Sequence, residues 1–235
     1  MGVRDREHGV ARAVFVISSV VTALLYAVPQ LNLVAYPLLV LSTVAHETGH
    51  GLAALAVGGA FESFELYPDG SGVAHVTGIG SRAGQAIVSA GGLVGPAIAA
   101  ALAFVAGRRP GVAQFFLSAL FAATLIALVL VVRNLFGWLF LGGFAILLGL
   151  LVFRTDRRWS QIALVFLGTQ LGLSVFSRSD YLFTRAVHTP TGSMPSDVAQ
   201  IAEMLLMPYW FWGMVCGAVR LTALLIGVRA LWARD

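Results

Sequence analysis

The feature that most constrains this chain is a succession of apolar runs, each near bilayer-crossing length, within 235 residues. A membrane helix needs roughly 20 predominantly apolar residues. A soluble core accounts for one such run, but not for six or more in so short a chain. Runs are read at 10–28, 31–57, 84–106, 112–132, 135–153, 161–176 and 208–228. They predict an all-α polytopic membrane protein of about seven transmembrane helices, with residues 1–235 forming a single integral membrane domain. Composition agrees: 58% of the residues are hydrophobic and 11% charged, against about 45–50% and 25% in soluble domains.

Every cationic side chain besides histidine is an arginine, and the formal net charge is +4. In a soluble protein that balance would suggest nucleic acid. Here the arginines flank apolar runs, where a guanidinium reaches headgroup phosphates while its stem stays in the apolar zone. The expected partner is therefore the lipid bilayer, with no nucleic acid. The single cysteine, Cys216, lies inside the last run, so neither a disulfide nor a cysteine metal site is expected. The first thirty residues have a charged head and an apolar body like a secretory signal. They lack a small-x-small cleavage site and lead into more apolar sequence, so a retained first span is expected.

Residues 60–80 are the one stretch with strand character. Phe61, Phe64, Leu66 and Tyr67 precede the turn-like Pro68-Asp69-Gly70-Ser71-Gly72, and Val73, Val76 and Ile79 follow it. A hairpin here must be interfacial or packed against protein, because bare strand edges are not tolerated in hydrocarbon. In the next run Gly91, Gly92 and Gly95 present almost no side chain and allow close helix contact. Residues 177–207 read as a polar loop with a short amphipathic helix near Asp197. Seven crossings would put the hairpin, the ends of the fourth and sixth helices and 177–207 on one face. The arginine-bearing loops at 107–111 and 154–160 would lie on the other. Arg4 and Arg6 then share the hairpin face, the tally of arginines is nearly even, and the positive-inside rule gives no orientation.

The chemistry concentrates in Val44-Ala45-His46-Glu47-Thr48-Gly49-His50-Gly51, an HExxH pattern inside the apolar run at 31–57. Residues four apart share one helix face, so His46 and His50 can direct nitrogens at one ion with Glu47 beside it. Two imidazoles and a carboxylate suit Zn2+ and leave a position for water. Glu47 is the expected catalytic general base. Two histidines and a glutamate in hydrocarbon carry a desolvation cost of several kcal/mol unless something satisfies them, and the small neighbours Ala45, Gly49, Gly51, Ala53 and Ala54 offer nothing. A third ligand must come from elsewhere. Asp180, directly after the sixth run, and Asp197 are the leading candidates, with Asp69 behind them. Asp197 has an alternative role in capping a short helix, which Ser196 can also perform. Asp69 is explained by a turn and His75 by a solvated strand. Asn134 reads as a helix-boundary residue that can alternatively donate to a substrate carbonyl.

The segments AHETGHGLAALAVGG, LYPDGSGVAHVTG and SAGGLVGPAIAAALAF, followed by RNLFGW and SDVAQIAEMLLMPYWFWG, resemble the site-2 protease superfamily of intramembrane zinc metallopeptidases. The resemblance is to the small branch without an inserted soluble domain, and it covers about residues 40–225. It implies metal ligands at His46 and His50, a catalytic base at Glu47, and cleavage of membrane-spanning protein segments in regulated intramembrane proteolysis. The expected location is a prokaryotic plasma membrane. In that family an Asp-Gly pair on a later helix supplies the third ligand, whereas here neither Asp156, Asp180 nor Asp197 precedes glycine. The departure keeps a second expectation open, a catalytically inactive metal-binding membrane scaffold or assembly factor. A transporter has less support, since no internal repeat is visible and the later runs hold few ionisable residues.

Overall fold

A computed structural model of the chain describes residues 3–177, 182–189 and 192–233. Helix α1 (Val3–Ala27), a 3-10 turn (Pro29–Leu31) and α2 (Asn32–Ala56) lead into an antiparallel strand pair, β1 (Ala60–Leu66) and β2 (Gly72–Thr77). Four long helices follow: α3 (Arg82–Ala106), α4 (Pro110–Leu130), α5 (Leu135–Arg154) and α6 (Arg157–Ser177). A second small strand pair, β3 (Ala186–Thr189) and β4 (Gly192–Pro195), then precedes the short α7 (Asp197–Leu205) and the last helix, α8 (Tyr209–Trp232).

Among the described residues, six helices are long and apolar enough to cross a membrane: α1, α3, α4, α5, α6 and α8. The chain is thus a multi-pass integral membrane protein built mainly of helix. Seven crossings were expected, and α2 is the difference. It has 25 residues, but His46, Glu47 and His50 in its second half dilute its apolar character.

Contacts at the two ends of the bundle explain the count. Arg12 of α1 donates from Nε to the Leu231 carbonyl at 3.2 Å and from Nη2 to that of Trp232 at 3.1 Å. Gln161, near the start of α6, donates to the carbonyls of Glu7 at 3.0 Å and Gly107 at 2.8 Å. The beginnings of α1 and α6 and the ends of α3 and α8 therefore share one end of the bundle. At the opposite end Arg82, which opens α3, donates to the Glu203 carbonyl of α7 at 2.7 Å. Helix α2 also finishes there, beside the strand pair. So α1 and α2 together make one net passage between the ends. This corrects the expectation that the N-terminal arginines lie on the hairpin face, because two consecutive apolar runs need not each cross.

Helices α2 and α3 meet backbone to backbone. A methyl group built on Gly49 would overlap the Gly91 carbonyl, and one built on Gly95 would press on the Gly49 Cα at 3.1 Å. Small residues at such a crossing let two helices approach closely where water supplies no hydrophobic drive.

The first strand pair runs from Ala60↔Thr77 to Leu66↔Gly72, with an irregularity between Phe61 and Ser63. Its outer edge on β1 is covered. Phe64 N–H donates to the Val131 carbonyl at 2.7 Å, and Arg133 N–H donates to the Phe64 carbonyl at 3.1 Å. The Asn134 amide clasps Leu66: Oδ1 accepts the Leu66 N–H at 3.3 Å, and Nδ2 donates to the Leu66 carbonyl. The same Oδ1 accepts the Gly137 N–H at 3.1 Å and so starts α5. Phe64 and Leu66 bury their side chains among Val40, Leu128, Val132 and Leu141. Backbone groups on this edge are satisfied within the protein, as a ribbon in apolar surroundings requires.

The pair β3–β4 was not foreseen. Its strands have four residues each, β4 is exposed throughout, and Gly192-Ser193-Met194-Pro195 shows no alternation of apolar and polar residues. It is tied to α7 where Ser196 N–H donates to the Arg185 carbonyl at 3.0 Å.

Candidate metal centre

His46 and His50 lie one turn apart on α2 and point the same way. Their rings meet edge to face with centroids 4.7 Å apart, and the two Nε2 atoms are 3.2 Å apart. Asp197, the first residue of α7, reaches both, with Oδ2 at 3.2 Å from His46 Nε2 and Oδ1 at 3.4 Å from His50 Nε2. One donor atom from each residue lies within 4.8 Å of the others. Burial by itself would push the Asp197 carboxyl up; the His50 and His46 imidazoles and the Arg220 guanidinium together hold it below the usual carboxylate range.

Local sequence explains why Asp197 is available. Ser196 takes the capping position of α7 and accepts the Ala199 N–H at 3.3 Å. The aspartate that follows is released from capping and turns toward the imidazoles. Helix α7 is held in place by Val198 and Ile201, which pack with Leu93 of α3 and Cys216 of α8. Gln200 bridges further: its Oε1 accepts the Ser89 hydroxyl at 3.1 Å, and its Nε2 donates to the Pro195 carbonyl at 3.2 Å.

These three side chains fit a bound cation. His50 Nδ1 lies 2.8 Å from the Val88 carbonyl, an oxygen that only accepts, so Nδ1 carries the proton and Nε2 turns its lone pair inward. Metal–ligand bonds of about 2.0–2.1 Å at tetrahedral angles place neighbouring donors roughly 3.3 Å apart. The two Nε2 atoms stand 3.2 Å apart, and each faces its own Asp197 oxygen, Oδ2 at 3.2 Å from His46 and Oδ1 at 3.4 Å from His50. Gly92 completes the cradle, since a methyl group there would overlap the His50 ring at Nε2. Gly92→Ala is accordingly expected to cut zinc retention at least ~10-fold while all three donor side chains remain. Metal analysis after dialysis checks this, and wild-type zinc content in the variant would refute the steric account. The extra methyl also overpacks the helix contact, at about 1–3 kcal/mol.

Glu47 is buried at 8% exposure. Its Oε2 accepts the Ala74 N–H of β2 at 2.9 Å. The strand lies close because β2 presents Gly72 to the helix: a methyl there would strike the Thr43 Cγ2 and the Glu47 Cγ. A cavity of about 440 Å³ opens over the cluster, bounded by Thr43, Glu47 and the histidines, by β2, and by Val187, Met194 and Pro195 of the second strand pair.

Of the other candidates, Asp180 lies outside the described residues. Asp69 accepts the Ser71 hydroxyl at 2.6 Å and the Ser71 N–H at 2.9 Å, and these bonds hold its pKa below the usual carboxylate range. It belongs to the turn. His75 is exposed on β2, and Asn134 is occupied with Leu66 and the start of α5. Neither the Val88 carbonyl nor the Ala74 amide was legible beforehand, because both are backbone groups brought in by tertiary packing. Gly92 was visible only as one of three small residues.

A bundle of membrane-spanning helices that holds a half-buried two-histidine, one-carboxylate cluster beside a glutamate defines the class of membrane-embedded metallopeptidase folds. The sequence profile of the family described as Peptidase M50B-like matches residues 17–227. The chain belongs to that family, in line with its resemblance to site-2 proteases. Comparison with curated proteins and with solved structures gave no significant match.

Proposed function

We propose that this protein is an intramembrane zinc metalloendopeptidase that hydrolyses peptide bonds of membrane-spanning protein segments. The observation that carries the reading is the convergence of His46, His50 and Asp197, one donor atom of each within 4.8 Å of the others, next to Glu47. Those three residues would hold the ion. Zinc bound there would polarise the scissile carbonyl and make water acidic enough to be deprotonated near neutral pH. Glu47 would take that proton as general base and return it to the leaving amine. The Ala74 N–H fixes one carboxylate oxygen and orients the other toward the cavity.

Strand β2 supplies the docking edge. Phe64 turns its N–H and carbonyl toward 131–133, so its partner Ala74 directs its own away from β1, the N–H to Glu47 and the carbonyl to the cavity side. An unwound substrate segment pairing there gains backbone hydrogen bonds in place of those it lost. Such unwinding is required because a transmembrane helix keeps its peptide groups internally bonded.

The test is metal removal and return. Purified protein in vesicles, incubated with reporter polypeptides that each carry one transmembrane segment, is expected to yield fragments cut within that segment. A chelator should reduce the yield at least ~100-fold, and stoichiometric zinc should restore it. Fragments that persist unchanged after verified zinc removal would refute a metallopeptidase.

A further inference from the structure

Strands β3 and β4 have four residues each, and β4 is exposed along its whole length. A ribbon that short is marginal on its own, and this one is fastened at its base. Ser196 donates its N–H to the Arg185 carbonyl at 3.0 Å and its hydroxyl to the Thr184 carbonyl. The Arg185 guanidinium lies over the Tyr209 ring, 5.0 Å from its centroid. The residue that follows this anchor is Asp197, so the ribbon is set directly against the metal centre.

Val187 and Met194 stand opposite each other in the ribbon's register, and opposed residues of an antiparallel pair share a face. Both side chains bound the cavity that contains His46, Glu47 and His50. Val187 is half-buried, whereas Met194 is 41% exposed. Met194 also borders a second cavity of about 620 Å³, together with Ser193, Ala199 and Tyr209. It therefore has open space on two sides, and an unbranched thioether side chain adapts its shape to what enters.

We infer that Val187 and Met194 form an apolar subsite of the cleft, which selects a large aliphatic side chain on the substrate residue beside the scissile bond. Pairing along a strand edge reads backbone, and pockets for alternate side chains supply selection. The other walls are committed to other tasks. Helices α2 and α7 carry the metal donors and Glu47, α3 orients His50 through the Val88 carbonyl, and β2 offers its edge. The ribbon brings none of these groups to the cavity, only Val187, Met194 and Pro195. The selection of a substrate residue rests on the peptidase reading above, but filling of the subsite does not require hydrolysis.

The experiment uses the full chain in vesicles, with reporters of one transmembrane segment that differ only in Leu or Ala at the residues flanking the cut. Wild type is expected to favour the leucine reporter at least ~10-fold in kcat/KM, the scale on which a hydrophobic pocket separates side chains of different size. Met194→Trp, which fills the subsite, should shift that ratio toward alanine at least ~10-fold and keep wild-type zinc content. Val187→Phe, on the opposing strand, should shift it in the same direction. A ribbon that only supports the fold would lower both reporters alike, and an unchanged ratio in both variants, or no preference in wild type, overturns the subsite.

Occupancy is read separately in Glu47→Gln carrying Cys216→Ser and Met194→Cys, with reporters that bear one cysteine scanned through the segment and a mild copper oxidant. Disulfide formation is expected to peak at one position, at least ~5-fold above its immediate neighbours, whose side chains point the other way in an extended strand. Even cross-linking along the segment, or none, overturns the subsite. That peak with no cutting by wild type would overturn the peptidase reading and leave the subsite standing.

Discussion

Replacing Glu47 by Gln is expected to leave zinc at wild-type stoichiometry and to reduce peptide hydrolysis about 10²–10⁴-fold, the range that general acid–base groups contribute. The substitution suits the question because it keeps shape and one hydrogen bond. A glutamine oxygen still accepts the Ala74 N–H, so the 2.9 Å contact that ties α2 to β2 survives. The ability to take a proton is lost. Paired measurements of metal content and fragment formation therefore separate chemistry from architecture. Full hydrolysis by the variant would remove Glu47 from the mechanism. A wild-type protein that holds zinc and yields no fragments would instead favour the membrane scaffold, the second expectation that the missing Asp-Gly pair raised.

The second large effect is expected at Asp197. Asp197→Ala should weaken zinc binding more than ~100-fold, since changes one layer out from a metal already cost 10–100-fold. It should do so without unwinding α7, because Ser196 provides the cap and Val198 and Ile201 the packing. Competition with a chromophoric chelator reads the affinity, and circular dichroism confirms the helix content. Asp180→Ala is the companion measurement, expected to leave affinity within about two-fold of wild type. Zinc lost with Asp180 and kept without Asp197 would exchange the two assignments.

Much of this could be read from the chain before any coordinates. Hydropathy placed the spanning segments, because the cost of an unsatisfied peptide group in lipid forces long apolar helices. The one-turn spacing of His46 and His50 marked the metal-bearing face, because helical geometry alone dictates it. The third carboxylate was less legible. Asp180 and Asp197 both lie in the polar stretch after the sixth run, and what carries the Asp197 oxygens to the imidazoles, the packing of Val198 and Ile201 against α3 and α8, is tertiary. The crossing number came out one lower than the expected seven for a related reason. Apolarity records that a segment tolerates lipid, while the passage shared by α1 and α2 depends on where Arg12 finds its partners. Strand β4 left no trace because a strand exposed on both faces has no alternation to display.

The glycine contact between α2 and α3 has a mechanical consequence. Two backbones pressed together at Gly49, Gly91 and Gly95 have no side chains between them to rotate or compress, so the pair moves as one stiff strut carrying both nitrogen donors. Asp197 rides on a separate nine-residue segment joined to the strut by a few side chains. A change in the spacing of the centre therefore requires α7 to shift on α3, at the expense of the Ser89–Gln200 and Arg82–Glu203 bonds. The position of α7 would set both how firmly the ion is gripped and how widely the cleft gapes.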